Sequence, residues 1–176
     1  MLITHNMKNK KLLLGIAWAW LTCLSANAEV KLPAFFSDGM VMQQQTRANL
    51  WGTATPNAPV KITTSWDKQT YKTIADAKGA WKLALSTPSA GGPYTITFDD
   101  GKLTEIRDIL MGELWLCSGQ SNMEMPMKGF KNQPVENSNT DVMNSRNPQL
   151  RLFTVKRSSS FTPKTDVVAP WQAAVP

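Results

Sequence analysis

The chain is poor in the residues that most often do chemistry. Its 176 residues hold one histidine, His5, and two cysteines, Cys23 and Cys117. Two of these three fall in a stretch that has the marks of an export signal. Lys8, Lys10 and Lys11 form a basic start, Leu12 to Leu24 is an apolar run, and Ala26-Asn27-Ala28 is a small-x-small cleavage site. As a helix that run rises only about 20 Å, short of a hydrocarbon core roughly 30 Å thick, so no stable membrane anchor is expected. Residues 1–28 are therefore expected to be a signal peptide cleaved after Ala28, with the mature chain secreted or periplasmic. From residue 29 onward there is no histidine and only one cysteine. That excludes an internal disulfide, a histidine-ligated metal site, and any Ser–His or Cys–His couple built from residues 29–176 alone.

Charge is scarce as well, at 18% of residues. The formal net charge of +6 is partly export signal: setting aside Lys8, Lys10 and Lys11 leaves 16 basic against 13 acidic residues, a net of +3. No basic run, helix-turn-helix or zinc-finger spacing accompanies it, so no nucleic-acid partner is expected. A hydrophobic fraction of 42% with seven Trp argues for a packed chain and against global disorder.

Between Glu29 and about Arg107 the apolar residues recur with period two. Val60-Lys61-Ile62-Thr63-Thr64-Ser65 alternates. Trp81, Leu83 and Leu85 share one face of the next candidate strand, and Tyr94, Ile96 and Phe98 one face of another. Turn residues separate them at Asp67-Lys68, Asp76-Ala77-Lys78-Gly79, Ala90-Gly91-Gly92-Pro93 and Asp99-Asp100-Gly101. Strands at this spacing predict a small antiparallel sandwich over 29–108.

The pattern then changes. Ile109 to Cys117 is almost continuously apolar around one Gly112-Glu113 pair, which predicts a strand buried on both faces of a parallel sheet. Residues 135–146 have helical character, and Leu150-Arg151-Leu152-Phe153-Thr154-Val155 reads as a strand. Residues 109–176 thus resemble the opening β-loop-α-β of an α/β domain that is too short to close its sheet, with no terminating element at Trp171–Pro176. The expected buried strand runs into Ser118-Gly119-Gln120-Ser121-Asn122, small and polar residues suited to a tight turn. A serine there, beyond the C-terminal end of a strand, presents its Oγ beside backbone N–H groups. Gly119 allows a tight path, and Gln120 and Asn122 are candidates to hold the loop. The spacing is not the Gly-x-Ser-x-Gly nucleophile elbow, because Met123 stands at the last glycine position.

The block Gly112-Glu113-Leu114-Trp115-Leu116-Cys117-Ser118-Gly119-Gln120-Ser121-Asn122-Met123-Glu124 resembles the one that opens the catalytic domain of the sialate O-acetylesterase family, SGNH-like serine esterases. The likeness extends to Leu32–Gln43, Leu50–Ala54, Ala90–Tyr94 and Gln149–Phe153, in order and over nearly all of 30–172. It implies a β-sandwich-like N-terminal domain followed by the start of an SGNH-like, flavodoxin-like α/β hydrolase domain, truncated in this chain. It implies that Ser121 is the nucleophile, with its own backbone N–H as an oxyanion donor. The family completes its site with a Gly, an Asn and an Asp-x-x-His pair, and nothing in residues 29–176 matches these.

The resemblance implies hydrolysis of O-acetyl groups on sialic acid or a polysaccharide, without metal or cofactor. A serine with no base to take its proton is a poor nucleophile, so the chain by itself is expected to be inactive. An acetylxylan-type esterase and a non-catalytic carbohydrate-binding or interaction fragment are the alternatives. Other residues have plainer readings. Cys117 is expected to be a buried free thiol and Trp115 a core residue. Glu124 and Asp141 are expected to be solvated charges and not a glycosidase pair, and most Trp residues to pack in the core or a domain interface.

Overall fold

A computed structural model of the chain describes residues 29–176. The expected signal peptide lies outside the described residues. Eleven strands dominate: β1 (Val41–Gln43), β2 (Arg47–Thr53), β3 (Pro59–Thr64), β4 (Thr70–Ile74), β5 (Ala80–Ser86), β6 (Gly91–Asp99), β7 (Leu103–Gly112), β8 (Gly129–Phe130), β9 (Gln133–Pro134), β10 (Asn147–Phe153) and β11 (Trp171–Ala174). A 3-10 turn at Ser121–Glu124 and one short helix, α1 (Ser138–Met143), are the helical elements among the described residues. None is long and apolar enough to cross a membrane.

The period-two readings hold where they were made. β3 buries Val60, Ile62 and Thr64 and exposes the residues between them. β5 buries Trp81 and Leu85, and β6 buries Ile96 and Phe98. The turn residues close these strands through local hydrogen bonds. Asp76 Oδ1 accepts from Lys78 N–H and Ala80 N–H, both at 2.8 Å, with Gly79 in the left-handed region at φ +84°. Asp99 Oδ1 likewise accepts Gly101 N–H at 2.9 Å in the β6–β7 turn.

The main sheet has the order β1-β7-β6-β3-β4. Its pairs are antiparallel except β1 with β7, which run parallel with Val41 opposite Leu110 and Gln43 opposite Gly112. β2 and β5 form a separate antiparallel ladder from Arg47↔Ser86 to Thr53↔Ala80. The sheet curls at its β4 edge toward this ladder, where Thr73 Oγ1 donates to Lys82 O at 3.3 Å. The enclosed core runs from Val30 to Met111 and centres on Leu50, Val60, Ile62, Ile96, Phe98 and Ile109, all fully buried.

Three expectations downstream are corrected. The apolar run from Ile109 does not continue as a buried strand to Cys117. β7 ends at Gly112, where its pairing with β1 stops, and beyond it Trp115 is 81% and Leu116 96% exposed. Cys117 is exposed and Trp115 is not a core residue. Hydropathy states what would gain from burial, but burial needs a facing layer, and among the described residues none covers this segment. Secondly, the strand expected near Leu150 exists as β10, but its partner is β11, antiparallel, with Phe153 opposite Trp171. Thirdly, residues Trp171–Ala174, where no terminating element is expected, form β11. The helix expected over 135–146 is present as the six residues of α1.

The β10–β11 pair is fastened to β7 and to the segment that precedes β1. Arg151 forms a two-pronged ion pair with Asp108, at 2.7 and 3.1 Å, and its Nε donates to Pro148 O at 2.8 Å. Trp171 Nε1 donates to Phe35 O at 2.9 Å, and Phe35, Phe153 and Trp171 pack edge-on or tilted with ring centroids 5.1–5.5 Å apart.

Candidate functional site

The chain leaves the sheet at Gly112 and runs to the 3-10 turn without strand or helix. A knot of side chains holds the exit point. Gln43 Nε2 and Gln44 Nε2 donate to the two carboxylate oxygens of Glu113, at 3.0 and 2.7 Å. Gln43 Oε1 accepts Leu114 N–H at 2.9 Å, and Gln44 Oε1 accepts Ala90 N–H at 2.7 Å. The Gln43 and then the Gln44 hydrogen bond stabilise the charged carboxylate, so the Glu113 pKa is held below its ordinary value.

Ser121 opens the turn Ser121–Glu124, and Gln120 precedes it as the capping residue with no side-chain hydrogen bond to the turn. The first internal bond runs from Met123 N–H to Gln120 O, at 2.9 Å. The N–H groups of Ser121 and Asn122 therefore precede the hydrogen-bonded part of the turn, as at any helix start. Every residue from Ser118 to Glu124 is exposed. Gly119 is not in the left-handed region, and a Cβ there would lie 2.7 Å from Cγ of the exposed Met123 side chain. Ser121, Gly119, Gln120 and Asn122 are thus contiguous on one exposed loop.

Residues 29–176 contain no histidine, so no Ser–His couple can form among them. The Glu124 carboxylate forms an ion pair with Arg157 Nη2 at 2.5 Å. A shallow depression of about 420 Å³ lies elsewhere, lined by Phe36, Asp38, Glu105 and Trp171 among others, and includes no residue of the Ser121 loop. The residues that anchor the loop, Gln43, Gln44 and Glu113, were not singled out from sequence for any role. The available signal was Glu113 itself, the one charge within the apolar run from Ile109 to Cys117.

Comparison with known proteins agrees with the motif. The sialate O-acetylesterases of Pongo abelii and Homo sapiens are each 30% identical to the chain over 155 residues, covering 82% of it and 29% of their own lengths. A crystal structure of a carbohydrate acetylesterase from Xanthomonas citri is similar with a TM-score of 0.75 and 33% identity, over 84% of this chain and 33% of that one. The chain belongs to the sialate O-acetylesterase family. It spans less than a third of the length of the curated relatives it matches. No family model matches it.

Proposed function

We propose that this chain is part of a secreted carbohydrate O-acetylesterase in which Ser121 is the nucleophile. The observation that carries the reading is an exposed serine at the start of a turn, in a chain of the sialate O-acetylesterase family. In this reading residues 29–108 are a sandwich-like unit and residues 109–176 the opening of an SGNH-like α/β esterase domain. The substrate is an O-acetylated sugar, sialic acid or a polysaccharide.

Ser121 Oγ attacks the acetyl carbonyl carbon while its proton passes to a base. The carbonyl oxygen becomes an oxyanion facing the Ser121 backbone N–H. Collapse expels the sugar oxygen, which takes up a proton as the hydroxyl, and leaves an acetyl-serine. Water then attacks that ester, releases acetate and returns the proton to Ser121. Gly119, Gln120 and Asn122 shape the loop that carries the serine. The base is supplied by residues outside 29–176, which is why the 176-residue chain by itself is expected to show only background turnover.

In a longer chain carrying that base, Ser121→Ala is expected to reduce acetate release by at least about a thousandfold while leaving the thermal unfolding midpoint unchanged. Retained activity would remove Ser121 from the role, and full turnover by the 176-residue chain would refute the need for an external base. An acetylxylan-type specificity uses the same chemistry on a different sugar, and the sugar-release profile separates the two. The lack of histidine in residues 29–176 favours a second reading, a non-catalytic carbohydrate-binding or interaction fragment. Sequencing the DNA beyond the codon for Pro176 decides between them, since only the esterase needs an Asp-x-x-His block to follow.

A further inference from the structure

The path from the sheet to Ser121 has few ties. After Gly112 the chain makes no strand pairing until β8 begins at Gly129, and it runs through Glu113–Gln120 in neither strand nor helix. The backbone tie along this stretch is the Leu114 N–H, and its acceptor is the Gln43 side chain. That side chain is itself held from the other end, because its amide donates to Glu113. Gln44 repeats the arrangement one residue on: its amide donates to the second Glu113 oxygen, its carbonyl accepts Ala90 N–H, and its backbone N–H donates to Gly112 O at 2.9 Å. Both glutamines thus use a donor and an acceptor at once. Together they join the end of β1, the β5–β6 connection and the exit of β7 into one closed network.

We infer that Gln43 and Gln44, by clamping Glu113 and capping the Leu114 N–H, are positioning residues that set the direction in which the chain leaves the sheet for Ser121. The inference rests on the reading of Ser121 as the nucleophile. None of the three touches the reacting atoms. Their effect is on where the serine sits seven residues beyond Leu114, and misplacement of a reacting group by about 1 Å costs on the order of a hundredfold in rate. Glu113 is suited to the task because a carboxylate accepts two amides at once, and charged acceptors make the stronger hydrogen bonds.

The test has two arms. Hydrogen exchange followed residue by residue on the 176-residue chain is expected to show Leu114 protected relative to Trp115, Leu116 and Cys117. Gln43→Ala is expected to remove that protection while Leu110 and Ile96 in the sheet exchange as before. The second arm uses the longer esterase with a chromogenic acetyl ester. There Gln43→Ala and Glu113→Ala are expected to lower kcat on the order of tenfold to a hundredfold with KM nearly unchanged. Glu113→Gln, which keeps a carbonyl acceptor, is expected to fall between wild type and Glu113→Ala. Fast exchange at Leu114 in the wild-type chain overturns the inference, as does an unchanged kcat for Gln43→Ala in an enzyme that Ser121→Ala silences. Activity that survives Ser121→Ala overturns instead the reading of the nucleophile on which the inference rests.

Discussion

Residues 30–111 and residues 113–176 both carry long apolar side chains, yet they treat them in opposite ways. In the first region the large hydrophobics converge on one cluster, with Leu50, Val60, Ile62, Ile96, Phe98 and Ile109 wholly out of water. In the second, Ala169 and Ala174 are the buried hydrophobics among the described residues, while Trp115, Leu116, Phe161 and Val168 stand in solvent. The difference is one of partners and not of composition. Each strand of the first region has a paired neighbour and a facing layer. The second region is held by a few polar and aromatic fasteners, Arg151 to Asp108 and Trp171 to Phe35, and by the knot at Glu113.

That contrast is open to direct attack. Phe98→Ala strikes the fully buried cluster and is expected to cost about 3–5 kcal/mol, read from denaturant unfolding. A cost below about 1 kcal/mol would mean that the cluster is not the source of stability. Arg151→Ala removes a two-pronged pair in which the arginine side chain is 12% exposed but Asp108 is half exposed. The expected loss is about 1–2 kcal/mol, discounted for solvent screening at Asp108. Its signature is regional: faster proteolysis between residues 147 and 174 with unchanged exchange in β3 and β6. Uniform destabilisation would show that the two regions unfold as one unit. The smallest effect is expected at Leu116→Ser, within about 0.5 kcal/mol of wild type. A core-sized loss there would show that the segment is covered in solution, and the contrast between the regions would collapse.

Much of the first region was legible residue by residue. Alternation at Val60–Thr64 and Trp81–Leu85 is a local property, because side chains on a strand point to opposite faces by geometry alone. The turns at Asp76–Gly79 and Asp99–Gly101 were legible for a similar reason, since an aspartate side chain closes its own turn. The parallel pairing of β1 with β7 was not. Val41–Gln43 is short, its partner lies about seventy residues away, and no local pattern records which edge a strand will join. The run Ile109–Cys117 misled because its apolar character is continuous while its strand pairing stops at Gly112.

The candidate site divides in the same way. The identity of the loop, with Ser121 flanked by Gly119, Gln120 and Asn122, is carried by contiguous residues and can be recognised as a string. What holds the loop's origin is not contiguous. Gln43, Gln44, Ala90, Glu113 and Leu114 meet only because β1 lies alongside β7 and the β5–β6 connection passes the same edge.

By itself, then, the sequence determined the strand-rich character of residues 29–108, the turns between those strands, the family, and the absence of histidine from residues 29–176. Those properties depend on near neighbours in the chain or on residue identity. Tertiary structure alone decided that β7 ends at Gly112, that Trp115 and Cys117 face solvent, and that β11 pairs back onto β10. Each of these depends on whether a distant segment arrives to supply a hydrogen-bond partner or a covering layer. Hydropathy records the demand for such a partner and not its presence.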